Sequence, residues 1–97
     1  MAKSGSSEQA RLHIQVTGRV QGVGFRAYVL QAGATLGLKG WVRNVSYNQV
    51  ETTAEGPRPV LERFLEAVRA GPRASRVDES SVEWQTPTGE FQRFEIK

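Results

Sequence analysis

The first half of the chain alternates between strand-like and helix-like patterns of apolar residues. Residues 11–17 carry an apolar side chain at every second position, which predicts a half-buried strand. From Phe25 the apolar spacing lengthens to three and four residues, which predicts an amphipathic helix that ends at Gly37. Residues 38–45 and 50–55 predict two adjacent antiparallel strands, because the residues between them are polar and typical of a hairpin turn.

The second half continues with one helix and two strands. Residues 56–59 are predicted to open a second helix, because their two prolines are accepted in a first helical turn. The Gly-Pro pair at 71–72 is predicted to end this helix. Residues 77–85 predict a fourth strand, and Phe94 and Ile96 indicate a short closing strand. This order, βαββαβ with a short extra C-terminal strand, predicts an α+β sandwich with two helices on one face of an antiparallel sheet.

Composition limits the classes of function. A chain of 97 residues is one domain, and we take residues 11–97 as that domain and the small, polar residues 1–10 as a disordered tail. The sequence has no cysteine, which excludes disulfides, thiol nucleophiles and thiolate metal sites. The chain also lacks a signal peptide and a long apolar run, which predicts a cytoplasmic protein without a membrane partner. The net charge of +3 is scattered and favours a small anion over nucleic acid.

Residues 18–26, Gly-Arg-Val-Gln-Gly-Val-Gly-Phe-Arg, stand between the first strand and the first helix. Three glycines allow the backbone to turn tightly, so that several N–H groups converge on one point. The following helix adds its unpaired N–H groups and the positive end of its dipole. Arg19 and Arg26 flank the glycines. The segment therefore predicts a binding site for a phosphate-sized anion.

The predicted topology brings a second polar residue close to this loop. A strand–helix–strand crossover returns the second strand parallel to the first, so the two strands end on the same side of the sheet. Asn44 lies at the end of the second strand. If the third strand lies between them, the gap is roughly 10 Å, which accommodates a phosphate and a water molecule. Arg26 and Asn44 are therefore candidate partners in one site.

The motifs GRVQGVGFR at 18–26 and GWVRN at 40–44 resemble the paired signature of the acylphosphatase family. The resemblance extends over residues 11–97 and implies a ferredoxin-like α/β sandwich. It also implies a monomeric hydrolase that splits acyl phosphates into carboxylate and inorganic phosphate, the latter being both product and inhibitor. No metal or organic cofactor and no covalent intermediate are implied.

The resemblance also assigns site residues. It implies that Arg26 binds the substrate phosphate and that Asn44 positions the attacking water. The cradle for the phosphate would be the loop backbone, formed by Val20, Gln21, Gly22, Val23, Gly24 and Phe25. One position departs from the family pattern: Asn48 stands where a glycine is usual. Because asparagine tolerates a positive φ better than other side chains do, we expect Asn48 to adopt that conformation in the hairpin turn.

Other interpretations of the sequence remain as alternatives. The glycine loop could be a purely structural turn, or part of a non-catalytic phosphate- or RNA-binding module of the same fold. The chain could also be the acyl-phosphate-handling domain of a larger maturation enzyme. With one histidine, His13, and one aspartate, Asp78, the sequence lacks the residues for a Ser-His-Asp triad or a carboxylate–histidine metal cluster. The physiological acyl phosphate is not indicated by any motif.

Overall fold

The computed structural model describes residues 8–97. This part of the chain forms five strands and two helices, with both helices on one face of the sheet. In chain order the elements are β1 (Gln9–Arg19), α1 (Phe25–Thr35), β2 (Lys39–Ser46), β3 (Gln49–Pro57), α2 (Arg58–Ala70), β4 (Arg76–Gln85) and β5 (Phe94–Ile96). The predicted element order is confirmed, and with it the ferredoxin-like α+β fold. Neither helix of residues 8–97 has the length and apolar character needed to cross a membrane.

The strand order determines which loops meet. The sheet is ordered β4-β1-β3-β2-β5, so β3 separates β1 from β2. β1 and β2 are both antiparallel to β3 and therefore run in the same direction. Their carboxyl ends lie on the same side of the sheet, as predicted. The loop that follows β1 and Asn44 near the end of β2 are consequently neighbours.

The prediction of an antiparallel sheet is wrong at β5, which runs parallel to β2 and makes the sheet mixed. β4 ends where Gln85 pairs with Arg11 near the start of β1, on the side of the sheet where β2 also begins. Residues 86–93 cross this side, and β5 then starts beside Gly40. A strand that starts there beside β2 has to run in the direction of β2.

The boundary of the predicted N-terminal tail is also corrected. β1 begins at Gln9, which pairs with Pro57, and the buried Ala10 pairs with Gly56. The local alternation could not indicate this extension, because it depends on backbone pairing with the distant end of β3. Residues 1–7 of the predicted tail lie outside the described residues.

The core lies between the sheet and the two helices. The side chains predicted to share one face of β1, Leu12, Ile14 and Val16, are at most 1% exposed. The helices contribute apolar residues spaced three to four apart: Phe25 and Val29 of α1, and Leu61, Phe64 and Val68 of α2. The sequence predicted this amphipathic pattern for α1, and α2 shows it as well.

Aromatic packing holds β5 against the helices. Gly33 of α1 lies directly against the ring of Phe94, where any added side chain would overlap the ring. The Phe94 ring also meets Phe64 of α2 edge-on, with 5.6 Å between the ring centroids. A glycine inside a helix costs about 1 kcal/mol relative to alanine, and here it allows β5 to approach α1 closely. The last strand is thus a fixed part of the fold.

The opposite face of the sheet carries a buried carboxylate, Glu55 of β3, which is 8% exposed. Glu55 accepts hydrogen bonds from the backbone N–H groups of Thr88 and Gly89, at 2.8 and 3.0 Å, and from Arg11 Nη1 at 3.1 Å. Burial alone would raise the pKa of the Glu55 carboxyl, but these hydrogen bonds outweigh it and the pKa is lowered. Glu55 thereby fastens the crossing segment, residues 86–93, that leads to β5.

A second carboxylate pairs with the one histidine. Nε2 of His13 lies 2.6 Å from Glu51 Oε2, and Arg43 Nε donates to Glu51 Oε1 at 2.7 Å. Burial raises the pKa of the Glu51 carboxyl, but the hydrogen bonds from His13 and Arg43 dominate and lower it. His13 is thus half-buried and holds neighbouring strands together.

We expect Glu55→Gln to lower the free energy of unfolding at neutral pH by about 1–3 kcal/mol, because the amide carries no charge and offers a single acceptor oxygen. The folded-state pKa of Glu55 lies below its ordinary value of 4.5. The contribution of the carboxylate is therefore complete above that value and is lost as the pH falls through the folded-state pKa. In urea unfolding, the difference between wild type and Glu55→Gln should shrink from about pH 7 to about pH 3.

Glu62→Gln is the matched control, because Glu62 is an exposed glutamate whose partner Arg58 lies 3.6 Å away on the same helix. It should change the free energy of unfolding by less than about 0.5 kcal/mol. Equal losses in the two variants, or a difference that does not depend on pH, would contradict the description of Glu55.

Candidate active site

The glycine loop joins β1 to α1 through two left-handed residues. Gly22 has a φ of 69° and Gly24 a φ of 76°, and Gly24 is the N-cap of α1. No side chain caps this helix, and its first turn contains no acidic residue. The first helical hydrogen bond is donated by Tyr28 to the carbonyl of Gly24 at 3.0 Å. The N–H groups of residues 25–27 therefore have no acceptor within the helix and remain available to an anion.

The loop is anchored at both ends. Val20 and Phe25 are 2% and 1% exposed, so their side chains belong to the core. The N–H group of Gly18 donates to the carbonyl of Asn48 in the β2–β3 turn at 2.9 Å. The exposed glycines between these anchors form a turn whose position is set by the core and by the neighbouring hairpin.

A cavity of about 280 Å³ opens between this loop and the end of β2. Its lining includes most of the residues that the sequence predicted for the site: Val20, Gln21, Gly22, Gly24, Phe25, Arg26 and Asn44. Val23 does not line it, since its side chain packs against the core. Arg19 is exposed and lies outside the lining. The remaining lining residues are Ala27 and Ile96.

Arg26 occupies the first turn of α1 and is exposed. The positive end of the helix dipole disfavours a cation at this position. Among residues 8–97, no side chain forms a hydrogen bond or ion pair with the Arg26 guanidinium. The guanidinium and the free N–H groups of the same turn therefore give the cavity a strongly positive wall.

A chain of hydrogen bonds fixes the amide of Asn44. Nε2 of Gln21 donates to the backbone carbonyl of Ser46 at 2.7 Å, which directs Oε1 of Gln21 towards Asn44. Nδ2 of Asn44 donates to that oxygen at 3.0 Å. Since a carbonyl can only accept, Ser46 determines the orientation of both amides. Oδ1 of Asn44 is left as a hydrogen-bond acceptor beside the cavity.

The sequence predicted that the Gln21 backbone would contribute to the site, but it did not indicate the contact of the Gln21 side chain with Asn44. The one available signal was a polar side chain within a loop of glycines and valines. Ile96 was predicted only as a strand residue, because its place in the cavity depends on β5 running beside β2.

The expectation that Asn48 has a positive φ in the hairpin turn is wrong. No non-glycine residue of 8–97 has a positive φ, so Asn48 does not adopt the left-handed conformation. The pairing of β2 with β3 is instead irregular between Asn44 and Ser46, which gives the hairpin an extra residue at Val45. Oδ1 of Asn48 accepts a hydrogen bond from Ser46 Oγ at 3.1 Å. This bulge and side-chain contact allow the turn to close without a glycine.

The chain is similar in sequence and in fold to known acylphosphatases. The sequence profile of the acylphosphatase family matches residues 12–96. An acylphosphatase from Syntrophotalea carbinolica is 44% identical over 87 residues, which are 90% of this chain and 95% of the relative. The crystal structure of acylphosphatase from Bacillus subtilis has a TM-score of 0.86 and 41% identity, and the match covers 91% of this chain and 98% of that one. A structure of an acylphosphatase from Coxiella burnetii has a TM-score of 0.87 and 30% identity, with 100% of both chains covered.

Gly24→Ala should destabilise the fold and also weaken phosphate binding, because an alanine in the left-handed region costs roughly 1–2 kcal/mol and would shift the start of α1. Gly89→Ala is a matched control, since Gly89 has the same φ of 76° and the same open space around it, in a turn away from the cavity. The measurement is the rise in melting temperature of each variant with increasing inorganic phosphate. Similar losses of stability are expected, with weaker phosphate binding in Gly24→Ala alone. Unchanged phosphate binding in Gly24→Ala would show that the loop does not hold the anion.

Proposed function

The chain belongs to the acylphosphatase family, and from this membership we propose how its own residues carry out the reaction. The protein is an acylphosphatase, an enzyme that hydrolyses the bond between a carboxyl group and phosphate. Its substrates are acyl phosphates, and its products are a carboxylate and inorganic phosphate. The proposal for its mechanism depends mainly on one observation: a single cavity joins the uncapped start of α1 to the oriented amide of Asn44.

The positive wall of the cavity holds the phosphoryl group. The guanidinium of Arg26 is planar and can donate two parallel hydrogen bonds to phosphate oxygens, each strengthened by charge. The backbone N–H groups from Gln21 to Phe25 and the first N–H groups of α1 surround the remaining oxygens, whereas the N–H group of Val20 donates to the carbonyl of Gly18 at 3.1 Å. These donors are in position before the substrate arrives. They therefore stabilise the charge that develops on the phosphoryl group without having to reorganise.

Asn44 positions the attacking water. Its Oδ1 accepts a hydrogen bond from the water, and the Gln21–Ser46 contact keeps that oxygen from exchanging places with Nδ2. The water oxygen attacks phosphorus as the bond from phosphorus to the carboxylate oxygen breaks, and the carboxylate leaves with the electron pair. The protons of the water remain with the phosphate product or pass to solvent. A carboxylate is a good leaving group, so an oriented water is sufficient and a strong base is not needed.

The proposal also covers the location, oligomeric state and partners of the protein. We take the protein to be a cytoplasmic monomer that acts on a small molecule, with neither a nucleic acid nor a membrane as partner. The absence of cysteine and the scattered positive charge of the sequence support this view. The reaction as proposed includes no metal or organic cofactor, since Arg26 and the backbone donors supply the positive charge.

The division of labour between Arg26 and Asn44 can be tested by following benzoyl phosphate hydrolysis in the ultraviolet, with excess EDTA present. Arg26→Ala and Asn44→Ala should each lower kcat by at least about 100-fold, the usual effect of removing one transition-state donor. Inhibition by inorganic phosphate should be lost in Arg26→Ala and retained in Asn44→Ala. Gln21→Ala should behave like a weaker Asn44→Ala, because it frees the amide without removing it.

Arg19→Ala is the matched control, an arginine from the other end of the same loop that does not line the cavity. It should keep wild-type turnover. Equal loss of phosphate inhibition in Arg26→Ala and Asn44→Ala would refute the separate roles. Loss of wild-type turnover in EDTA, with recovery on adding a divalent cation, would refute the metal-free mechanism.

A further inference from the structure

Among the described lining residues, Ile96 is the large apolar side chain that is exposed to the cavity and that the proposed mechanism does not use. Ile96 of β5 is 42% exposed and lines the cavity together with Arg26 and Asn44. It pairs with Val42 in the parallel ladder between β5 and β2, two residues before Asn44. Phe94, two positions earlier on the same face of β5, is buried in the core. On this face of β5, Phe94 therefore packs in the core and Ile96 lies at the cavity.

We propose that Ile96, with Ala27 beside it, is the contact surface for the acyl group of the substrate. The enzyme would then favour acyl phosphates with an aromatic or aliphatic acyl group over those with a very small or charged one. This inference rests on the proposed function, which places the phosphate at the glycine loop and Arg26.

The composition of the cavity lining supports this assignment. The loop backbone and Arg26 face the phosphate, and Asn44, oriented by Gln21, holds the water. Val20 and Phe25 also line the cavity, but they are almost fully buried and present little surface to a ligand. This leaves Ala27 and Ile96 as the accessible apolar side chains of the lining. An acyl phosphate has one part besides its phosphate, and these side chains are available to contact it.

The charges of the lining argue for an uncharged acyl group. Among the lining residues within 8–97, Arg26 is the only one with a charged side chain, and in the proposed mechanism it binds the phosphate. A carboxylate on the acyl group would have to compete with the phosphate for that guanidinium. An amino group would find no acidic side chain in the lining. Apolar contact with Ile96 is therefore the main recognition that the cavity offers to the acyl part.

Ile96 is held firmly enough to act as a contact surface. The N–H group of Lys97 donates to the carbonyl of Val42 at 2.9 Å, and Gly40 donates to the carbonyl of Arg93 at 3.1 Å. These bonds lie on both sides of Ile96 along the chain, and the packing of Phe94 on Phe64 fixes the same strand. Because the backbone of β5 is fixed before substrate binds, little backbone entropy is lost when an acyl group covers Ile96.

The test compares benzoyl phosphate with acetyl phosphate in wild type, Ile96→Thr and Ile96→Val. Threonine keeps the β-branch that suits a strand but replaces part of the apolar surface with a hydroxyl. The ratio of kcat/KM for benzoyl phosphate to that for acetyl phosphate should fall about threefold to tenfold in Ile96→Thr. Ile96→Val should give a smaller fall in the same direction. The inhibition constant for inorganic phosphate should stay within about twofold of wild type, because the phosphate does not contact Ile96.

Tyr47→Ser is the matched control, since Tyr47 is an exposed apolar side chain, 84% exposed, in the neighbouring hairpin but outside the cavity lining. It should leave the substrate ratio unchanged. An unchanged ratio in both Ile96 variants, with turnover intact, would overturn the inference and leave the proposed function standing. Equal losses on both substrates would show that Ile96 supports the site without contacting the acyl group. Absence of turnover in folded wild type would instead refute the proposed function.

Discussion

The architecture of the site depends on one constraint: the chain has to turn from β1 into α1 within five residues while leaving the first N–H groups of the helix unpaired. Two left-handed glycines make the turn possible, and buried Val20 and Phe25 keep it in place. The result is a helix start with neither a capping side chain nor an acidic residue. The first N–H groups of the helix therefore need partners outside it, and the proposed binding of an anion would supply them.

Arg26 lowers the stability of the folded chain, and interactions elsewhere in the fold offset this loss. A guanidinium at the positive end of a helix lowers stability unless an anion lies nearby. The closely packed core and the hydrogen bonds to buried Glu55 on the opposite face of the sheet supply stability elsewhere. The loop and the start of α1 thus sit on a rigid frame, which is what the proposed preorganised binding of a phosphoryl group requires.

Local patterns predicted the elements and most of the residues that line the cavity, and long-range backbone geometry accounts for what they missed. The alternation in β1, the glycines of the loop and the crossover rule were sufficient to bring Arg26 and Asn44 together. The parallel pairing of β5 depends on where residues 86–93 cross the sheet, which no local pattern encodes. The place of Ile96 in the cavity follows from that pairing. The contact of the Gln21 side chain with Asn44 depends instead on the neighbouring ends of β1 and β2. The conformation of Asn48 also depends on backbone pairing. Its residue type suggested a left-handed turn, but a bulge at Val45 closes the hairpin instead.

The central claim is that the uncapped start of α1 and the loop before it bind the phosphoryl group, and an NMR titration with inorganic phosphate tests it most directly. In uniformly 15N-labelled protein, the largest shift changes should occur at the backbone amides of residues 22–27, with a smaller change at the side-chain amide of Asn44. The opposite face of the sheet provides an internal comparison, since Arg43 and Lys97 lie there against the ring of Trp41. Shift changes concentrated around Trp41, or none in the loop at saturating phosphate, would contradict the account.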